Sequence, residues 1–112
     1  MNFSTDEADN NTIISITVER LDATVAPELK NLVQTLVAEG KNRILLDFEN
    51  VSFMDSSGLG AVVSGLKAVG DEGEFVVCGL HGVVLDLFKL THMDRVFDIR
   101  SDRGDGLQSL AA

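Results

Sequence analysis

Residues 12–18 read TIISITV, with Ile14, Ile16 and Val18 alternating against Ser15 and Thr17. A period of two among β-branched residues predicts a strand. The period then lengthens. Leu29, Leu32, Val33, Leu36 and Val37 recur at helical spacing, with Pro27 suited to a first turn and Gly40 just past the last apolar position, which predicts a helix. Residues 43–48 (RILLDF) form a second predicted strand, and 51–53 a short extended continuation. A second helix carries Leu59, Val62, Val63, Leu66 and Val69 on one face and ends near Gly70. Residues 74–78 (EFVVC) are short and apolar enough for a strand buried on both faces. Val83, Val84, Leu87, Phe88 and Leu90 make a third helical stripe, and 96–99 reads as a last edge strand. A short fourth helix is placed around Leu107 and Leu110, with Gly104 and Gly106 weighing against it. Everything before Thr12 reads as a polar N-terminal segment. Strands alternating with helices of this length imply an α/β layer fold with mostly parallel central pairing and right-handed crossovers. Strand order is not readable from the pattern.

Composition narrows what such a fold can do. The chain has 112 residues, 45% of them hydrophobic, and a mean hydropathy of +0.16, which suits one domain with a packed interior. No apolar run approaches the ~18–20 residues needed to cross a bilayer. The opening MNFSTDEADNN has neither the basic start nor the apolar stretch of a signal peptide, so a soluble cytoplasmic domain is expected. Asp and Glu number 18 against 9 Lys and Arg, for a net charge of −9. A chain so acidic repels phosphate backbones and anionic headgroups, which excludes nucleic acid and membrane surfaces as its main partners. A protein partner with a basic face is favoured instead, in an association weakened by salt. The lone Cys78 forms no internal disulfide and reads as an inert core residue. With two histidines, His81 and His92, no metal site is expected. Asp71, Glu72 and Glu74 read as a solvated turn.

One segment holds more than scaffold. Asp55, Ser56 and Ser57 are consecutive residues each able to cap the second helix. Only one cap is needed. The remaining side chains are either redundant capping groups or accessible hydroxyls at the positive end of a helix dipole, where a phosphate is electrostatically welcome. Gly58 and Gly60 fall in the first turn, each costing roughly 1 kcal/mol relative to alanine. Close packing on the sheet or a bare surface for a partner's approach would offset that cost. Ser57, Gly60, Ala61, Ser64, Gly65 and Ala68 form a stripe of small residues at helical spacing. Either a neighbouring element packs closely there or another protein docks. Asp22, ahead of the first helix, is a helix-start capping group or a partner contact.

Enzymatic readings fail on spacing. The G-x-S-x-G elbow is absent, since Met54 and Gly58 flank Ser56 at two residues and Asp55 stands two before Ser57. Neither histidine is spaced to activate a serine. The run from Gly58 to Val63 begins like a dinucleotide fingerprint but has valine where the third glycine belongs. No phosphate-binding GxxxxGK[ST] loop exists. The chain is expected to be no enzyme and to carry no cofactor or nucleotide site of its own.

The run Asp55-Ser56-Ser57-Gly58-Leu59-Gly60, preceded by Val51-Ser52-Phe53-Met54, resembles the signature of the STAS family, specifically the small single-domain anti-sigma factor antagonists of bacterial partner-switching systems. Leu21-Asp22 with Ala26-Pro27 resembles that family's approach to its first helix. Leu87-Phe88 with Thr91, Met93 and Val96 resembles its third helix and following turn. The likeness implies a single STAS domain over residues 1–112, with a core about 12–99. Its fold would be a βα superhelix in which a mixed sheet of four to five strands packs with about four helices. It implies Ser56 as phospho-acceptor, with Ser57 the second choice. It further implies that Asp22, Asp55, Ser56, Ser57, Gly58, Leu59 and Gly60 meet the partner. In such proteins an anti-sigma factor that is itself a serine kinase modifies the serine, and a PP2C-type phosphatase reverses it. The unphosphorylated form holds the kinase and frees a sigma factor or other effector. The competing class is a non-switching STAS scaffold subunit bound to a transporter ATPase or other effector. Three residues depart from the pattern: Glu19 for a glycine, Val25 for a Ser or Thr before Ala-Pro, and His92 for a glycine after Thr91. They bear on loop shape, helix capping and partner choice.

Overall fold

The most apolar of the predicted strands lie inside the sheet. In the computed structural model, which describes residues 2–111, a five-stranded sheet runs in the order β1-β2-β4-β6-β7. Met1 and Ala112, the ends of the expected domain span, lie outside the described residues. The strands are β1 Phe3–Ala8, β2 Asn11–Ile16, β4 Arg43–Asp47, β6 Glu74–Cys78 and β7 Asp98–Arg100. β6, with Phe75, Val76, Val77 and Cys78 all buried, sits between β4 and β7. β2, β4, β6 and β7 are parallel and β1 is antiparallel to β2, so the sheet is mixed. β3 Arg20–Leu21 and β5 Phe53–Met54 form a separate two-stranded parallel ladder.

The alternation of side chains divides the core in two. One face of the sheet supplies Ile14, Ile16, Ile44, Leu46, Phe75 and Val77 to a cluster shared with α1 Ala26–Ala38, α2 Ser56–Val69 and α3 Gly82–Leu90. The other face supplies Ile13, Leu45, Val76 and Cys78, covered by Leu110 of α4 Arg103–Ala111. The fourth helix therefore forms despite its glycines. A Cβ on Gly106 would stand 2.6 Å from Leu45 Cδ1, so that glycine is what lets α4 lie close on the sheet. α4 is further fastened by Arg103, whose guanidinium donates to Asp47 Oδ2 at 3.1 and 3.2 Å and to Ser15.

Several local expectations are revised. The polar N-terminal segment is a strand. β1 buries Phe3 and turns into β2 through Asp9 and Asn10, at φ +52° and +70°. Positive φ at both central residues is the hairpin turn that Asp and Asn tolerate. The extended 51–53 continuation leaves the main sheet to pair with β3, because Ser52 and Phe53 donate backbone N–H groups to the Glu19 carbonyl at 2.9 and 3.1 Å. On α3, Val84 and Phe88 are buried while Val83 and Leu90 are exposed, so its apolar stripe is narrower than its composition. Val96 is exposed and precedes β7. The last edge strand thus begins two residues later than the run 96–99.

Candidate functional site

The parallel β3–β5 ladder sets Arg20 opposite Phe53 and Leu21 opposite Met54. Asp22 and Asp55 therefore leave the ends of adjacent strands side by side. Asp55 has extended backbone, φ −105° and ψ −174°, and its Oδ1 accepts the Gly58 N–H at 3.0 Å. Its carbonyl accepts the Leu59 N–H at 3.0 Å, the first helical bond of α2. Asp55 is thus the cap, and the serines are spared that work. Ser56 and Ser57 occupy the first two helical positions, both exposed. Among the described residues neither hydroxyl is hydrogen-bonded to another protein group. Of the two possibilities left open for three adjacent capping residues, the geometry is that of one cap and two accessible hydroxyls.

The two glycines of that turn separate cleanly. A Cβ on Gly58 would lie 2.2 Å from the Leu21 carbonyl oxygen and 2.8 Å from Met54 Cγ, whereas Gly60 has nothing within 4 Å of that position. Gly58 answers to packing and Gly60 to a bare surface. The small-residue stripe divides likewise. Gly65 packs toward Phe75 and Val33, and Ala61 is buried. Ser57, Gly60 and Ser64 line an open groove of about 370 Å³ against Ala23, Pro27 and Lys30 at the start of α1. Leu59 is half-buried against the main core.

Asp22 shapes the approach to α1. Its Oδ1 accepts the Thr24 N–H at 3.1 Å, and its carbonyl accepts the Val25 and Ala26 N–H groups at 3.0 and 2.8 Å. Its carboxylate closes a local turn but does not cap the helix. Val25, at the capping position, makes no side-chain cap bond. The Asp22 Oδ2 instead faces Arg20 Nε at 3.6 Å, and the Arg20 guanidinium lies 4.1 Å over the Phe53 ring. Sequence reasoning missed Arg20. Its place depends on the pairing of two dipeptides far apart in the chain, which no local periodicity reveals.

The other candidates take structural roles. His81 Nε2 is 2.9 Å from the Glu49 carbonyl, and no hydrogen bond among the described residues joins either histidine to Ser56 or Ser57. His92 adopts left-handed backbone, φ +61° and ψ +20°, in the turn after α3; a glycine would sit there unstrained. Glu19 is not among the positive-φ positions, so a side chain is accommodated in its loop. Burial, reinforced by the neighbouring Asp47 carboxylate, pushes the Cys78 thiol up to about 12, and it is unreactive at neutral pH. No group of three His, Cys, Asp or Glu among the described residues is arranged to hold a metal ion. No helix among them is long and apolar enough to cross a membrane. A second cleft, of about 500 Å³, lies at the carboxyl ends of β4, β6 and β7. Its Asp47 and Arg103 are bonded to each other, in the service of α4.

A mixed sheet with three helices on one face, one on the other, and an aspartate-capped Ser-Ser-Gly turn opening the second helix defines a class. The STAS domain family profile matches residues 2–106. The chain belongs to the STAS domain family. It is 29% identical over 108 residues to the anti-sigma-B factor antagonist of Listeria monocytogenes, covering 94% of this chain and 95% of the relative. It is 36% identical over 72 residues to the anti-sigma-B factor antagonist of Staphylococcus aureus, covering 63% of this chain and 67% of that one. The solved structure of an anti-sigma-factor antagonist (STAS) domain protein from Planctomyces limnophilus superposes with a TM-score of 0.90 at 22% identity, over 100% of both chains.

Proposed function

We propose that this chain is a phosphorylation-controlled anti-sigma factor antagonist, a binding protein with no catalytic step of its own. Unphosphorylated, it docks the face around the start of α2 onto an anti-sigma factor that is also a serine kinase. The kinase transfers the γ-phosphoryl group of ATP to Ser56 Oγ. The hydroxyl proton passes to a kinase base, ADP leaves, and the complex parts. A PP2C-type phosphatase hydrolyses the phosphoserine and restores binding. The observation that carries the reading is the division of labour at Asp55 and Ser56: the aspartate holds the cap, leaving an exposed, unbonded hydroxyl beside it.

The phosphate adds about −1.5 to −2 charge and three acceptor oxygens. Within the chain it meets the positive end of α2, which tolerates an anion. Across the interface it must be desolvated where a hydroxyl had packed. A change of about 3 kcal/mol alters affinity by more than a hundredfold. The test begins by capturing a partner with Ser56→Ala and identifying it. Ser56→Ala is expected to bind the captured kinase and resist modification, Ser56→Asp to bind poorly, and mass spectrometry after kinase and ATP to find phosphate on Ser56. Tight binding by Ser56→Asp, or modification confined to Ser57, overturns the assignment. Retrieval of a transporter ATPase and no kinase-like protein supports the scaffold reading instead.

A further inference from the structure

Arg20 is the cation that the β3–β5 ladder places on this face. Its guanidinium stacks 4.1 Å over Phe53, its Nε pairs with Asp22 Oδ2 at 3.6 Å, and its side chain remains 62% exposed. Among the described residues the guanidinium donates no hydrogen bond, so its terminal Nη nitrogens are available to a partner. A flexible, well-hydrated surface arginine needs neither constraint. Stacking and pairing bias the planar fork toward one orientation before any partner arrives, and an arginine so placed matches a carboxylate with two parallel bonds. The β3–β5 register fixes it beside Asp22 and one strand from Asp55.

We propose that Arg20 is a specificity-determining residue of the docking face, presenting its free Nη edge to a carboxylate of the anti-sigma factor. The inference rests on the reading that the start of α2 is the docking face. Charge gives it a distinctive sign. The chain carries −9, so a partner gathered by long-range attraction presents a mainly basic surface. A fixed cation facing a basic surface repels it unless an acid stands opposite. Arg20 thus sets the register of docking and rejects partners lacking that acid, an element of discrimination by repulsion.

The test measures affinity of wild type, Arg20→Glu, Arg20→Lys, Phe53→Leu and Ser56→Asp for the anti-sigma factor identified by Ser56→Ala capture, with and without ATP. Thermal melts of each variant establish that it is folded. Arg20→Glu makes the chain two charges more negative, so general attraction to a basic partner predicts tighter binding. A local carboxylate contact predicts the reverse, a loss of about 30-fold or more. Arg20→Lys keeps the charge but loses the fork and is expected to lose about 3- to 10-fold. Phe53→Leu keeps the arginine but frees it and is expected to lose a few-fold. A single Asp or Glu to Lys change on the partner should restore binding to Arg20→Glu and weaken binding to wild type. Equal or tighter binding by Arg20→Glu overturns the proposal, as does a loss seen only with ATP present, which would assign the fork to nucleotide phosphate. Should Ser56→Asp weaken binding while Arg20→Glu does not, this inference alone fails. Should neither variant matter, the docking face itself has been misplaced.

Discussion

Two glycines, two residues apart in the first turn of one helix, are expected to respond to the same substitution with opposite signs. Alanine at either position should recover up to about 1 kcal/mol of helix propensity. At Gly60 nothing stands within 4 Å of the added methyl, so Gly60→Ala is expected to stabilise the fold by about 0.5–1 kcal/mol. At Gly58 the methyl would lie 2.2 Å from the Leu21 carbonyl oxygen and 2.8 Å from Met54 Cγ. The contact with the oxygen is more than about 1 Å inside the distance at which such atoms attract. The methionine can swing aside; the carbonyl cannot. Leu21 is paired with Met54 in the β3–β5 ladder, and the Asp22 that follows it anchors the approach to α1. Relief therefore requires α2 to lift from the ladder, and overpacking of this kind costs about 3 kcal/mol or more. The net expectation is a destabilisation of about 2–3 kcal/mol, or a melting temperature about 10 °C lower for a domain this size. Urea unfolding of both variants, read by far-ultraviolet circular dichroism, measures the pair. A neutral or stabilised Gly58→Ala, or a Gly60→Ala that unfolds earlier than wild type, refutes the account of how α2 is seated.

Three further outcomes are open to simple measurements. Arg103→Ala leaves the Asp47 carboxylate, 5% exposed, with no cation beside it and only the Glu49 N–H and the Cys78 thiol as donors. It should lose about 2–3 kcal/mol in urea, part of which Asp47→Asn in the same chain restores; additive losses would contradict a buried-charge origin. Cys78 is neutral in the fold to about pH 12 but ionises near 9 when released. Its contribution is fully present below pH 9 and falls by about 1.4 kcal/mol per pH unit between 9 and 12. The alkaline limb of a stability–pH curve should flatten in Cys78→Ala, and an unchanged limb would refute this. His92→Gly relieves a left-handed residue at φ +61° and should raise stability by about 0.5–1 kcal/mol after the entropy of glycine is counted; a lower melting temperature would show that the imidazole contributes there.

What the sequence made legible, and what it did not, follows the range of the interactions. The helices α1, α2 and α3 announce themselves through apolar residues a turn apart, and β6 through a run apolar on both faces, because those signals lie within a dozen residues. β1 is hard to read from sequence because this edge strand is polar between Phe3 at one end and Ala8 at the other. The Asp9-Asn10 pair was its only local marker. α4 is weakly marked in the sequence for a related reason: Gly106 lowers propensity, while the benefit it brings, close contact with Leu45, belongs to the tertiary fold. At the site the serines, their capping aspartate and the two glycines stand in one run and were found together. The split between Gly58 and Gly60 needed the position of β3. Arg20 needed both halves of the β3–β5 ladder, and no single stretch of sequence contains them.

The same ladder explains why a phosphate on Ser56 is expected to act outward. Were the start of α2 loosely held, a dianion at its first position could reorganise the turn and carry its effect through the molecule. Here the Asp55 carboxylate already occupies the Gly58 N–H, and the Gly58 backbone is pressed against the Leu21 carbonyl. A new anion finds a helix end that favours it electrostatically and cannot be drawn far toward it. The internal response to such a phosphate is therefore expected to be a fraction of the effect on a partner, which would meet a hydrated dianion in place of a hydroxyl. The glycine that costs helix propensity thus does two things at once. It seats α2 on β3, and on the proposed reading it would leave a phosphate on Ser56 little room to rearrange the fold. A Ser56-phosphorylated chain should therefore melt within about 1 kcal/mol of the unmodified one while its affinity falls a hundredfold; a modification that moved the melt as much as the binding would place the switch inside the domain.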